Sequence, residues 1–193
     1  MTTGLLDNDN SELAPSEGTV PTELCHIIPF SLGNWEKKEE DHQISEIWTT
    51  LKRLFPRIGL GPSDINDPTN LMTLWPSAYA AFGDFSLAFE PTGKENEYNV
   101  IPLGMKHTHL KRDLPSPDEN GRRVITFKNY SDVELPSPDL LQTHAALAKI
   151  LHASGMAKYL DELVRDQEEI GCLVPAGSTN LEELLLLRAL LST

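Results

Sequence analysis

The feature that most constrains this chain is a switch of hydrophobic period near its middle. Phe85-Ser86-Leu87-Ala88-Phe89 alternates as a strand with one buried face does, and Tyr98 to Leu103 is a second strand after a polar turn from Glu90 to Glu97. Helical periodicity lies on both sides of this hairpin. Ahead of it, Ile44, Ile47, Trp48, Leu51, Leu54 and Phe55 fall on one helical face, with the charged stretch Glu36 to Asp41 starting the helix and Pro56 closing it. Leu71 to Phe82 also reads as helical, with Pro76 in a first turn and Gly83-Asp84 as the break. After the hairpin come a short third strand, Val124 to Phe127, and a helix capped by Ser137 with Pro138 at its first position. Leu140, Leu141, Ala145, Leu147, Ala148 and Leu151 form that helix's apolar face, and Gly155 ends it. The pattern predicts an α+β fold with a small antiparallel sheet and packing helices towards the C-terminus.

Residues 1–20 are rich in Asp, Asn, Ser, Glu, Pro and Gly and read as a flexible arm, leaving 21–193 as one domain. Met156 to Glu169 predicts a further helix. Thr179 and Glu182 have capping-box spacing before a last helix, Leu181 to Leu191, apolar almost all round and suited to burial or to a homo-oligomer interface. No apolar run is long enough to span a membrane, and Met1 to Gly18 has neither a basic n-region nor an apolar h-region, so a cytoplasmic or nuclear location is the expectation. Cys25 and Cys172 make no disulfide framework and read as reduced thiols that act as small buried hydrophobes.

Charge narrows the function. With 29 acidic against 16 basic residues and a net charge of −13, the chain lacks the basic footprint with which proteins grip nucleic acid. Lys106, Lys111, Arg112, Arg122, Arg123 and Lys128 lie close in sequence, but interspersed charges of this kind ordinarily keep a surface soluble.

The segments that carry a site are Cys25-His26-Ile27-Ile28-Pro29-Phe30, the loop Asn66-Asp67-Pro68-Thr69-Asn70-Leu71, and Leu74-Trp75-Pro76-Ser77-Ala78-Tyr79-Ala80-Ala81-Phe82-Gly83-Asp84-Phe85. Together they resemble the HNH-nuclease family in its fungal form. Ala88 to Gly93, Leu135 to Pro138, His144 to Met156 and Gly177 to Asn180 extend the resemblance over about residues 20 to 190, with Phe-Gly-Asp-Phe and His-Ala-Ser-Gly-Met the most specific segments. Thr3-Gly4 looks like the end of the family's opening strand, which reads here as reduced or preceded by more chain.

The resemblance implies an HNH-like ββα core clasped round one divalent metal, and phosphodiester hydrolysis as the reaction. It places the general base at His26 and the Asn that fixes the motif loop at Asn70. The position of the last motif His, on the helix, holds Tyr79, and the residue before His26, an Asp in many such enzymes, is Cys25. A phenol, with an ordinary pKa of about 10, is a poor ligand for a hard cation at neutral pH. The expected site is therefore His26, Tyr79 and Asn70, with no cofactor, and with a divalent metal only if the nuclease site survives.

Other candidates read more plainly. His107 and His109 would point to one side of an extended segment, but no Cys or carboxylate at matching spacing completes a metal set. His144 and His152 share a helix face two turns apart and read as structural, and Trp35, Trp48 and Trp75 as core.

Three functions are compatible with these residues. One is an HNH-endonuclease-like protein with a degenerate metal site and little or no nuclease activity. Another is a metal-independent enzyme of fungal small-molecule biosynthesis, using His26 and Tyr79 as acid and base for isomerisation, cyclisation or elimination. The last is a non-catalytic interaction module that uses the Leu-rich C-terminal helix.

Overall fold

In the computed structural model, which describes residues 21–33, 38–104, 110–129 and 132–159, the first strand is short. Strand β1 (Glu23–His26) pairs antiparallel with β2 (Leu71–Leu74), in a register that sets Cys25 opposite Met72 and His26 opposite Leu71. Residues 71–74, expected to begin a helix, are therefore a strand. The helix α2 (Pro76–Gly83) starts only at the proline, whose missing N–H and fixed φ suit a first turn but not the interior. Period-two burial explains the difference: Met72 and Leu74 are buried while Thr73 between them is exposed.

Between the two strands lies the helix α1 (Lys38–Leu54). Ile44, Trp48 and Leu51 are buried on its inner face, and Trp48 Nε1 donates to the Leu32 carbonyl at 2.9 Å. Leu54, placed on that face by periodicity, is 63% exposed. It lies at the margin of the apolar arc in the helix's last position, where Pro56 turns the chain away from the core.

The loop that follows is anchored at several points. It makes single 3-10 turns at Pro62–Asp64 and Pro68–Asn70, and Ile58, Leu60 and Ile65 go into the core. Ile65 meets the chain at Gly33, where a Cβ would lie 2.5 Å from Ile65 Cγ2 and 2.8 Å from its Cβ. Gly33→Ala is therefore expected to lower stability by about 1–3 kcal/mol, the usual cost of overpacking. A denaturant midpoint within error of the parent protein would refute that close approach.

The second sheet has the order β3-β4-β5, built from β3 (Leu87–Pro91), β4 (Glu97–Pro102) and β5 (Val124–Thr126). β3 and β4 form the expected hairpin, with Phe89 opposite Val100. The strand starts two residues later than its alternation implied, because Gly83 to Ser86 makes a turn: Phe85 has φ +61°, and Ser86 N–H donates to Asp84 Oδ1 at 3.0 Å. A one-turn helix, α3 (Leu110–Asp113), precedes β5 and buries Leu110.

Helix α4 (Pro138–Ser154) lies across β3. Ala88, Ala145 and Ala148 are buried where the two meet, small enough for helix and strand to approach closely. Its first position is Pro138 as expected, but the Ser137 hydroxyl makes no cap bond; the Ser137 N–H instead donates to the Thr69 carbonyl at 2.8 Å. This bond ties α4 to the loop before β2. Gly155, at φ +76°, ends the helix in the left-handed conformation that glycine tolerates best, and residues 156–159 continue as helix.

No helix among the described residues is long and apolar enough to cross a membrane. The expected arm at 1–20, the His107/His109 pair, Trp35, Cys172 and the Leu-rich segment 181–191 lie outside the described residues.

Candidate active site

The strand pair β1–β2 followed by α2 is a ββα unit, with α1 and the anchored loop inserted between its strands. All three expected site positions fall within it. His26 ends β1, Asn70 immediately precedes β2, and Tyr79 lies on α2, which packs against β1.

Asn70 is completely buried, and its amide is bonded on both sides. Its Oδ1 accepts the Ile28 N–H at 2.8 Å, while its Nδ2 donates to the Ile28 carbonyl at 3.0 Å and to the Ile65 carbonyl at 2.8 Å. Its own backbone carbonyl accepts the Ile27 N–H at 2.9 Å. Asparagine does this because one planar group offers an acceptor and two donors. The result fastens the segment just after His26 to both ends of the loop Ile65–Asn70.

The loop is also braced from within. Asp67 Oδ1 accepts the Thr69 N–H at 2.9 Å and the Thr69 hydroxyl at 2.6 Å, and these bonds hold the Asp67 carboxyl below its ordinary range. Asn66, exposed between Ile65 and Asp67, reaches His26: Nε2 lies 3.0 Å from Asn66 Oδ1. An amide oxygen only accepts, so a hydrogen bond in this geometry is donated by the Nε2–H of the ring. Phe30 covers part of the imidazole, with ring centroids 5.4 Å apart and planes tilted by 54°. Sequence reasoning had Asn66 only as part of a loop motif; its link to His26 spans the whole α1 insertion and has no local signature.

Cys25 points the other way. Alternation along β1 sends it into the core, where it is completely buried, and desolvation pushes its thiol up to about 12. A thiol so placed is no ligand for a cation beside His26. Tyr79 is half-buried and packs against the main core. Among the described residues, no three His, Cys, Asp or Glu side chains come together as a metal site. The donors at the three motif positions, an imidazole, a saturated amide and a phenol, do not fit a hard divalent cation.

His144 and His152 are structural in geometry, as expected of them. His144 Nε2 lies 3.0 Å from the Phe82 carbonyl and His152 Nε2 lies 3.1 Å from the Phe85 carbonyl, so two turns of α4 grip the turn between α2 and β3. His144 is also stacked on Phe82 at 3.7 Å and on Phe85 at 4.9 Å.

Comparison with known proteins agrees with this geometry. A family model described as HNH endonuclease matches residues 3–90, the stretch that contains the whole ββα unit. The segments beyond it that share the resemblance, including His144 to Met156, fall outside the matched range. Searches of the curated proteins and of the solved structures returned no match.

Proposed function

We propose that the HNH-nuclease-like domain of residues 3–90 has kept the base and the loop of its fold but not its metal position, and that it has little or no nuclease activity. The observation that carries this reading is the contrast between its motif positions. His26 is held by Asn66 and half-exposed, as a working base must be, whereas the helix position holds Tyr79 and the strand position before His26 holds a thiol sunk in the core. The net charge of −13 argues in the same direction, since a duplex would be repelled rather than gathered.

Calorimetry with Mg²⁺, Mn²⁺ and Zn²⁺, alongside plasmid nicking, tests the reading. The expected result is neither stoichiometric binding nor cleavage above the background of a His26→Ala variant. Stoichiometric binding together with nicking that His26→Ala abolishes would overturn it and restore an active nuclease with ligands from elsewhere in the chain.

A second reading rests on the packing of α2 against β1, which brings Tyr79 into the same ββα unit as His26. In it the two side chains serve as acid and base on a small molecule, in an isomerisation, cyclisation or elimination that needs no metal. His26 would take a proton from carbon or oxygen through its basic nitrogen, and the Tyr79 phenol would donate one. Tyr79→Phe would then lower turnover at least as far as 10²-fold while leaving the fold intact. A fungal biosynthetic setting and a cytoplasmic or nuclear location belong to this reading.

A further inference from the structure

We infer that Asn66 is the positioning residue of His26: its side-chain oxygen holds the imidazole in the Nε2–H form and so leaves Nδ1 as the nitrogen that takes up a proton. The inference rests on the reading that His26 works as a base, and it names a residue of the loop motif to which the resemblance gave no role. A neutral imidazole has two tautomers, and only a partner of fixed polarity selects one. Here the partner is an amide oxygen at 3.0 Å from Nε2.

What makes Asn66 a credible selector is the rigidity on either side of it. Its predecessor Ile65 is buried, and the Ile65 carbonyl accepts the Asn70 amide at 2.8 Å. Its successor Asp67 is locked to Thr69 by two bonds from its carboxylate. The histidine is held from its own side, because Ile27 and Ile28 bond to Asn70. Asn70 thus fixes the distance between the two segments, and Asn66 spends that fixed distance on orienting the ring. Phe30, tilted against the imidazole, limits rotation of the ring about its bond to Cβ.

The test is nitrogen NMR of protein labelled with ¹⁵N-histidine, at a pH where His26 is neutral, with His26→Ala used to assign the signals. The unmodified protein is expected to show the Nε2–H pattern at His26. Asn66→Ala is expected to raise the Nδ1–H population by about five-fold, the ratio that one ordinary net hydrogen bond sustains. Asn66→Asp, which keeps an accepting oxygen, is expected to retain the Nε2–H pattern and so separates the acceptor from mere occupancy of the loop. An Nδ1–H pattern in the unmodified protein, or populations that do not change in Asn66→Ala, would overturn the assignment. Turnover is not read in this experiment. Failure of the base role would therefore show as metal-free turnover of a small molecule that His26→Ala leaves unchanged, and failure of Asn66 only in the tautomer.

Discussion

Asn70→Ala is expected to lower the unfolding free energy by about 3–5 kcal/mol, as much as truncating a buried aromatic side chain costs. The figure follows from what the amide leaves behind. Without it, the Ile28 N–H, the Ile28 carbonyl and the Ile65 carbonyl lose a partner in a region where Ile27, Ile28 and Ile65 are each at most 5% exposed. A buried group stripped of its partner costs about 1–3 kcal/mol, and a water entering the vacated space would recover part of that. Asn70→Asp is expected to be at least as damaging at neutral pH. It keeps the acceptor for Ile28 but turns a carboxylate towards two carbonyl oxygens. Urea denaturation of the three proteins measures both effects. A loss below 1 kcal/mol for Asn70→Ala would mean that the loop is held by its own turns and that the amide is incidental. Against a typical total of about 5–15 kcal/mol, the expected loss is a large share of the stability that holds the segment after His26.

The position of Asn70 shows how much the chain discloses in advance. The ββα unit was legible only through its motif segments, a histidine in a short apolar run and an asparagine in the loop ahead of a helix, whose resemblance implied an HNH-like core; periodicity by itself made residues 71–74 part of that helix. The family match over residues 3–90 covers that stretch. The hairpin was legible through its alternation and α4 through its apolar stripe. What escaped were features that depend on neighbours distant in sequence. Residues 71–74 carry no local sign that they pair with residues 23–26, and Leu-Met-Thr-Leu suits a helix as well as a strand until β1 is alongside. Leu54 matched the helical stripe, yet the stripe says nothing of where the core ends. Asn66 was one polar residue among several in a turn-rich loop, and its bond to His26 joins residues 40 positions apart. Conversely, Cys25 was placed correctly as a buried hydrophobe by chemistry alone.

The grip of α4 on the turn at Gly83 to Ser86 has an energetic reason. Phe85 occupies the left-handed region at φ +61°, which costs a side-chain-bearing residue roughly 1–2 kcal/mol. The conformation persists because its surroundings hold it. The Phe85 N–H donates to the Phe82 carbonyl at 3.1 Å, the Phe85 carbonyl accepts from His152, and the ring lies on His144. The same contacts fasten the end of α2, and with it Tyr79, to α4. Helix α4 is fastened in turn to the Asn70 loop through Ser137 and Thr69.

Acid is expected to release this grip through His144. Burial pushes its imidazole down to about 4 from an ordinary 6.5, against the opposing pull of the Phe82 carbonyl, which favours the charged form. Its Nε2–H donates to that carbonyl, and its Nδ1 is buried without a partner among the described residues. Protonation would therefore place a second N–H where nothing accepts it. The folded state holds its proton less tightly than the unfolded chain does. The contribution of the neutral ring is thus complete above pH 6.5 and falls at about 1.4 kcal/mol per unit as pH drops towards 4, where about 3 kcal/mol has gone. His144→Phe isolates this effect. It keeps the stack on Phe82 and Phe85 and cannot titrate, and the Phe82 carbonyl still accepts the Phe85 N–H. At pH 7 the variant is expected to be less stable than the parent by about 1 kcal/mol, the net value of the lost hydrogen bond. By pH 4.5 the order is expected to reverse, because the parent alone has lost about 2–3 kcal/mol through His144 while both share the titration of their carboxylates. Denaturant midpoints at the two pH values decide the matter. Parallel losses in parent and variant would mean that His144 is already charged, or reaches water, in the folded protein, and the clasp between α4 and the turn would then owe nothing to a neutral imidazole.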